Sequence, residues 1–199
     1  MKKLLHVGCG LATIEKLPAA FQDGTWQEVR FDISEDVNPD IVGTLLDMKA
    51  VEDNSIDAIY SSHNIEHVYY HEVLPVLKEF RRVLTRGGIA IIVCPDIQLI
   101  CDSVKEYGVD GPLYTSSKGP ISALDILYGH GSSIANGHTY MAHKTGFDLK
   151  LLAKRLEQAG FGTFHGRRIK RIKELMFVAS KVKISNEAIQ QKYTQYTAR

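Results

Sequence analysis

The sequence predicts an α/β domain built on a doubly wound, mainly parallel sheet with helices on both faces. Three observations predict it. Short apolar runs alternate with longer stretches whose apolar residues recur at helical spacing. The run Ile89–Cys94 is apolar without a break, as expected for a central parallel strand buried on both faces. The first apolar run stops at Gly8-Cys9-Gly10, a turn that lets the backbone approach a ligand and offers free amides to an anion.

Taken in order, Lys3–Val7 is expected to form the first strand and Leu11–Phe21 a helix, with Pro18 disturbing its end. Trp26–Phe31 reads as a second strand ending at Asp32, and Asp40–Leu46 as a third. Ile56–Tyr60, introduced by the turn-forming Asp53-Asn54-Ser55, reads as a fourth. His71–Leu84 carries an apolar stripe at helical spacing, with Pro75 near its start and Arg86-Gly87-Gly88 after its end. Residues 95–145 lose this regularity and are rich in Gly, Ser, Tyr and His. So long a stretch is expected to hold helix and to act as a lid. Phe147–Ala159 resumes the helical pattern. Phe161–His165 and Glu174–Val182 read as the last two strands, and the polar final dozen residues are expected to fray.

The chain has 199 residues, 44% hydrophobic and 24% charged, with a formal net charge of +1. One domain, 1–199, is expected. The weak net charge argues against nucleic acid or an anionic membrane as the main partner. Three cysteines do not make a disulfide framework and fit a reducing compartment, so a cytoplasmic location is expected. In MKKLLHVGCG, only Leu4 and Leu5 precede His6, whereas a signal core needs roughly 7–15 apolar residues. No run approaches the roughly 18 apolar residues of a membrane span.

In an open parallel sheet, ligands sit beyond the carboxyl ends of the strands. The residues just past the first four strands are therefore informative: Gly8-Cys9-Gly10, Asp32, Leu46-Asp47-Met48 and SSHNIEHV (61–68). Asp32 has the residue type and spacing to accept two ribose hydroxyls, or it is a plain turn residue. Thr13 stands where the dinucleotide fingerprint needs its third glycine, which argues against a nicotinamide enzyme. Asp47 and Met48 have the character to meet an adenine amino group and cover the ring.

The ordered set LLHVGCG, EVRFDIS, GTLLDM, NSIDAIYSSHNIEHV, LKEFRRVLTRGGIAIIVCPD and LEQAGF resembles the class I S-adenosylmethionine-dependent methyltransferases, and most of all the methyltransferase type 11 group. The resemblance covers residues 3–100 well and 143–182 loosely. It implies a seven-stranded Rossmann-like methyltransferase sheet with an antiparallel last strand, and makes 95–145 an inserted, substrate-covering segment. It implies S-adenosylmethionine as cofactor, with Gly8, Cys9 and Gly10 at its methionine part. Asp32 falls on the ribose, Ile33 beside the adenine, Asp47 and Met48 at the adenine, and Ser62 and His63 near the sulfonium. The family usually has an acid where His6 stands and often has helices before the first strand, which this sequence lacks. Cover for the acceptor is thus expected from 95–145. The resemblance makes the chain an enzyme that methylates a small-molecule acceptor. The rival reading is a cofactor-binding partner or regulatory protein without catalysis.

His63–His67 also spells H-x-x-E-H, a zinc pattern of some peptidases. There it lies within a helix, whereas here it directly follows a strand. If a helix has begun by His63, then His63, Glu66 and His67 share one face. Some similar methyltransferases carry E-x-x-E-H at this place and hold a divalent ion with a later ligand. By that likeness His63 replaces the first acid, Glu66 and His67 match, and His143 supplies the later ligand, with His138 as second choice; Glu66, His67 and His143 are the metal residues expected. Three uses stay open for these histidines: a metal site, a general base or substrate ligand (His63, His67 or His143), and packing. Alcohol methylation calls for a base of near-neutral pKa. The acceptor expected is therefore a small hydroxylated molecule such as a sugar or nucleotide-linked sugar. His71 is expected to be an exposed helix residue. Tyr128, His130 and Tyr140 are candidates for lining the acceptor pocket. Arg167, Arg168, Lys170, Arg171 and Lys173 form a basic run, read first as a solvated loop and second as a clamp for a phosphorylated substrate.

Overall fold

The computed structural model describes residues 1–116 and 119–198. Seven strands form one sheet: β1 (Lys2–Val7), β2 (Trp26–Asp32), β3 (Ile41–Val42), β4 (Ile56–Ser62), β5 (Leu84–Pro95), β8 (Thr163–Ile169) and β9 (Glu174–Ser180). Their spatial order is β3-β2-β1-β4-β5-β9-β8. β1 to β5 run parallel, and the last strand, β9, runs antiparallel to both β5 and β8. The expected α/β sheet with an antiparallel last strand is the observed one.

Alternation along the strands sorts the core into two layers. Leu5 and Val7 of β1, and Ala90, Ile92 and Cys94 of β5, pack with α1 (Val73–Val83) and α5 (Leu149–Gln158) on one face. Leu4, Ile89, Ile91 and Val93 face the other way, against α6 (Asn186–Thr197). The β5 run is apolar throughout because both faces are covered.

Three expectations are corrected. Leu11–Phe21 is not a helix but two single 3₁₀ turns, Ile14–Lys16 and Ala19–Phe21. Pro18, at φ −51° and ψ 142°, separates them and stops a helix from propagating. The third strand shrinks to Ile41–Val42. The C-terminal dozen does not fray. Ser185 caps α6 by accepting the Ala188 amide, and Ile189, Tyr193 and Tyr196 are buried at i, i+4 and i+7.

Between β5 and α5 the segment expected to act as a lid contains α2 (Ile97–Tyr107), β6 (Pro112–Ser116) paired with β7 (Gly119–Ser122), α3 (Ala123–Tyr128) and α4 (Gly131–Ala135). It has its own apolar cluster around Ile100, Ile121, Ala123 and Ile126. Both of its ends are pinned at one point, where Asp96 pairs with Phe147 and the Ile97 amide donates to the Phe147 carbonyl at 2.9 Å. No helix among the described residues is long and apolar enough to cross a membrane.

If α6 is integral to the sheet, Tyr196→Ala, which removes a ring set against Phe21 and Trp26, lowers unfolding free energy by about 3 kcal/mol. Urea titration followed by circular dichroism checks this. A frayed terminus would give no change.

Candidate active site

The carboxyl ends of the neighbouring strands β2, β1 and β4 lie side by side at one edge of the sheet. Gly8 and Gly10 both have left-handed φ, of 61° and 52°. A Cβ at Gly8 would collide with the Asn64 side chain from the loop after β4, so this turn needs glycine. The Gly10 peptide is gripped at both ends. Its amide donates to Asp32 Oδ2 at 2.8 Å, and its carbonyl accepts from the Arg30 guanidinium at 2.5 Å. Arg30 also donates to the Val37 and Asn38 carbonyls, tying the β1 and β2 loops together. Asp32 takes the Ser34 amide on its other oxygen at 3.0 Å.

Two expected contacts are displaced. Met48 is fully buried in the core and cannot cover a ligand ring, because the chain turns inward there. Leu46 (42% exposed) and Ile33 (50% exposed) present the apolar surface flanking this edge instead. Cys9 is buried as well, which pushes its thiol pKa up by desolvation. Asp47 is exposed and paired with Lys49 at 3.1 Å, and Ser62 ends β4, partly exposed. His6 is buried against Glu28 on β2, Nδ1 to Oε1 at 2.7 Å. Glu28 also accepts the Ile14 amide, so an acid on the neighbouring strand occupies the space beside the substituted position.

Past the end of β4 lies a cavity of about 390 Å³ lined by His63, His67, Tyr114, His130, His143 and Glu174, among others. That volume suits a small molecule. Tyr128 and Tyr140 do not line it; both are exposed on the outer side, and Tyr114 takes their place. His138 is exposed and bonded to Tyr140, and His71 is exposed and stacked on Tyr69.

His63 is not helical. It has φ 52°, and only Ile65–His67 form a 3₁₀ turn, so the peptidase geometry is absent. The ring lies between two carboxylates, with Nε2 2.8 Å from Glu174 and Nδ1 3.5 Å from Glu66. Desolvation opposes its charge, but the hydrogen bonds and attraction from Glu174 and Glu66 outweigh it and push the pKa up to about 10. The side chain keeps 45% exposure, and water screens part of this pull. The direction still leaves an imidazolium at neutral pH.

Glu66 is fully buried, and among the described residues the close side-chain contact of its carboxylate is the ion pair with His63 Nδ1 at 3.5 Å. Desolvation favours its neutral form. Contact with His63 and the potential of His67 and His143 prevail and hold its pKa below the usual range. Its backbone carbonyl accepts the Lys144 and Thr145 amides at 2.8 and 3.1 Å, which brings the far end of the lid onto this turn. His143 thereby reaches His67, with ring centroids 4.8 Å apart. One ligand atom from each of Glu66, His67 and His143 lies within 4.8 Å of the others.

Each of these two imidazoles is held by Nδ1. His67 donates to the Ala142 carbonyl at 3.1 Å and His143 to the Ile126 carbonyl at 2.6 Å. A carbonyl only accepts, so Nδ1 carries the proton and Nε2 is left to act. Burial holds the His143 pKa below the ordinary value, although Glu66 opposes it. Glu174 had no sequence signal, since it stands 111 residues from His63. The β5–β9 register brings it there by pairing it with Pro95.

Residues 5–92 match a family described as "Methyltransferase domain". Among solved structures, the chain is similar to the citrinin polyketide synthase CMeT domain. Identity is 13% and the TM-score 0.60, over 92% of this chain but only 47% of that one. It is also similar to an Archaeoglobus fulgidus SAM-dependent methyltransferase (14% identity, TM-score 0.57, 89% and 85% covered). A third is the Burkholderia thailandensis 1,6-didemethyltoxoflavin-N1-methyltransferase, solved with 1,6-didemethyltoxoflavin and S-adenosylhomocysteine (14% identity, TM-score 0.56, 91% and 71% covered). A sequence comparison with curated proteins gives no match.

Gly129 tests the assembly of the cavity. At φ 98° it passes so close to 141–143 that a Cβ would strike the Met141 carbonyl. Gly129→Ala is expected to cost about 2 kcal/mol and to displace His143. Urea titration, with the His143 ring resonances as a local probe, checks both.

Proposed function

On the premise that this chain is a class I S-adenosylmethionine-dependent methyltransferase domain, we propose that it O-methylates a small hydroxylated acceptor such as a sugar or nucleotide-linked sugar. The observation that carries this reading is the pair His67 and His143, each fixed through Nδ1 with Nε2 left over beside a buried carboxylate.

Methyl transfer from a sulfonium is an in-line displacement in which the cofactor supplies the activated group. The protein must hold the acceptor oxygen about 3–3.5 Å from the methyl carbon and take up its proton. The crevice at Gly8, Gly10 and Asp32 seats the cofactor, with Ile33, Leu46 and Asp47 at its adenine end. The acceptor occupies the adjoining cavity. His63, kept charged between Glu66 and Glu174, orients that boundary and is no proton acceptor at neutral pH. His143, neutral by burial, or His67 takes the hydroxyl proton through Nε2. Glu66 stabilises the imidazolium that forms.

The same three residues fit a divalent ion. Glu66 is a buried carboxylate beside both rings, engaged by His63 alone at 3.5 Å among the described residues, and both imidazoles have the Nδ1-to-carbonyl bond that orients metal-ligating histidines. A mixed nitrogen and oxygen set suits zinc, iron or manganese. A bound ion would lower the pKa of the acceptor hydroxyl and orient it. Three free cysteines fit work in the reducing cytoplasm.

Incubation with methyl-labelled cofactor and a panel of hydroxylated acceptors tests the reading. His67→Ala and His143→Ala are each expected to lower kcat by about 10²–10⁴-fold with cofactor affinity kept. Unchanged turnover in both would remove these residues from the chemistry. Chelation distinguishes the two uses of the cluster: inhibition reversed by manganese or zinc supports the ion, and indifference to chelator supports the free base. Asp32→Ala is expected to weaken S-adenosylmethionine binding at least tenfold by calorimetry. A chain with no affinity for the cofactor would defeat the premise itself.

A further inference from the structure

The charged groups around the cavity divide into those already committed and those that are not. Glu174 is held by His63. Asp125 accepts the Ser122 amide and hydroxyl at 2.9 and 2.8 Å and the Gly131 amide at 3.0 Å, closing the cap of α3. Both wall carboxylates are thus compensated from within the protein.

The basic run splits in the same way. Arg167 lies over the Tyr193 ring, 5.5 Å from its centroid, and donates to His165. Arg168 pairs with the buried Asp96 at 3.0 Å and with Gln98. These two sit in β8 and are structural. Lys170, Arg171 and Lys173 lie in the turn between β8 and β9, and among the described residues none has a carboxylate within ion-pair distance.

That turn is fixed rather than loose. Lys173 adopts φ 56°, its amide approaches the Lys170 carbonyl at 3.4 Å, and its own carbonyl accepts the Asp96 amide at 2.9 Å, anchoring the turn to the end of β5. Ile172 and Lys173 line the same cavity as His67 and His143. The cavity therefore has the His67 and His143 rings on one wall and Lys173 on another, and Lys173 belongs to a turn whose three cations have no carboxylate within ion-pair distance among the described residues.

We propose that this turn binds a phosphate carried by the acceptor, so that the substrate is a phosphorylated hydroxylated molecule held by its anion while its hydroxyl faces His67 and His143. The proposal rests on the O-methylation reading and narrows its substrate class. Lys173 lines the cavity and Lys170 and Arg171 stand exposed on the same turn, so the turn offers the charge-assisted hydrogen bonds that a phosphate accepts. A cavity of about 390 Å³ takes a sugar phosphate whole, or the sugar and proximal phosphate of a nucleotide-linked sugar.

The test uses the whole chain with S-adenosylhomocysteine present. Amide chemical shifts and calorimetry follow titration with inorganic phosphate, glucose 1-phosphate, UDP-glucose and glucose. The expected result is saturable binding of phosphate-bearing probes, with shifts centred on 170–174 and no response to glucose. The stronger of glucose 1-phosphate and UDP-glucose identifies a monoester or a diphosphate as the group read. Binding is expected to fall at least tenfold in Lys170→Ala/Arg171→Ala/Lys173→Ala, and also in the milder pair Lys170→Gln/Arg171→Gln, which changes only exposed side chains. No saturable binding by any phosphate-bearing probe, or equal binding in both variants, would overturn the proposal. Methyl transfer to an unphosphorylated acceptor, retained in the triple variant, would overturn it while leaving O-methylation standing. Phosphate binding at 170–174 in a chain that methylates no hydroxyl would support the site and defeat the O-methylation reading.

Discussion

A carboxylate taken wholly out of water must be compensated close by, and Glu66 is such a group. Its charge organises the middle of the molecule. It holds His63 charged on one side and faces His67 and His143 on the other. Its peptide carbonyl receives the end of the lid. One residue thus links the loop after β4, the start of β9 through His63, and the returning end of the lid.

The turn after β1, where the cofactor is proposed to sit, is organised differently, by backbone rather than buried charge. The turn after β1 is set by two left-handed glycines and by Arg30 and Asp32 gripping one peptide. Such a seat exists before any ligand arrives, which lowers the ordering cost of binding. The cavity beside His67 and His143 is instead assembled from distant segments: His63 and His67, Pro95, Tyr114 and Ser116, 121–130, 141–143 and 172–174. The contrast fits a domain in which one ligand stays constant while the other varies.

Legibility in the sequence followed the same division. The strands and the long helices were readable because each buries a face and so carries a period, as in Ile89–Cys94 and in the stripe ending at Val83. Gly8, Gly10 and Asp32 were readable because strand ends mark where ligands go. Glu66, His67 and His143 could be listed from residue type, but their meeting depends on two backbone hydrogen bonds that leave no pattern. Glu174 was invisible because only an antiparallel register brings it to His63. Met48 misled because an apolar residue beside an acid reads the same whether it points to a ligand or to the core. The C-terminal helix was under-read: Ile189, Tyr193 and Tyr196 show the spacing, but polar neighbours masked it.

The pinning of both lid ends at the Asp96–Phe147 bridge has an evolutionary corollary. A segment of about fifty residues that leaves and rejoins the scaffold at one hinge point is a cassette. It can be lengthened, recut or traded between related domains without disturbing the strand order or the nucleoside seat. Because His143 travels inside it, each exchange would recast the shape of the cavity and one of the imidazoles facing Glu66 together. Divergence in what such domains modify would then be expected to cluster between these two anchors, while the rest drifts slowly.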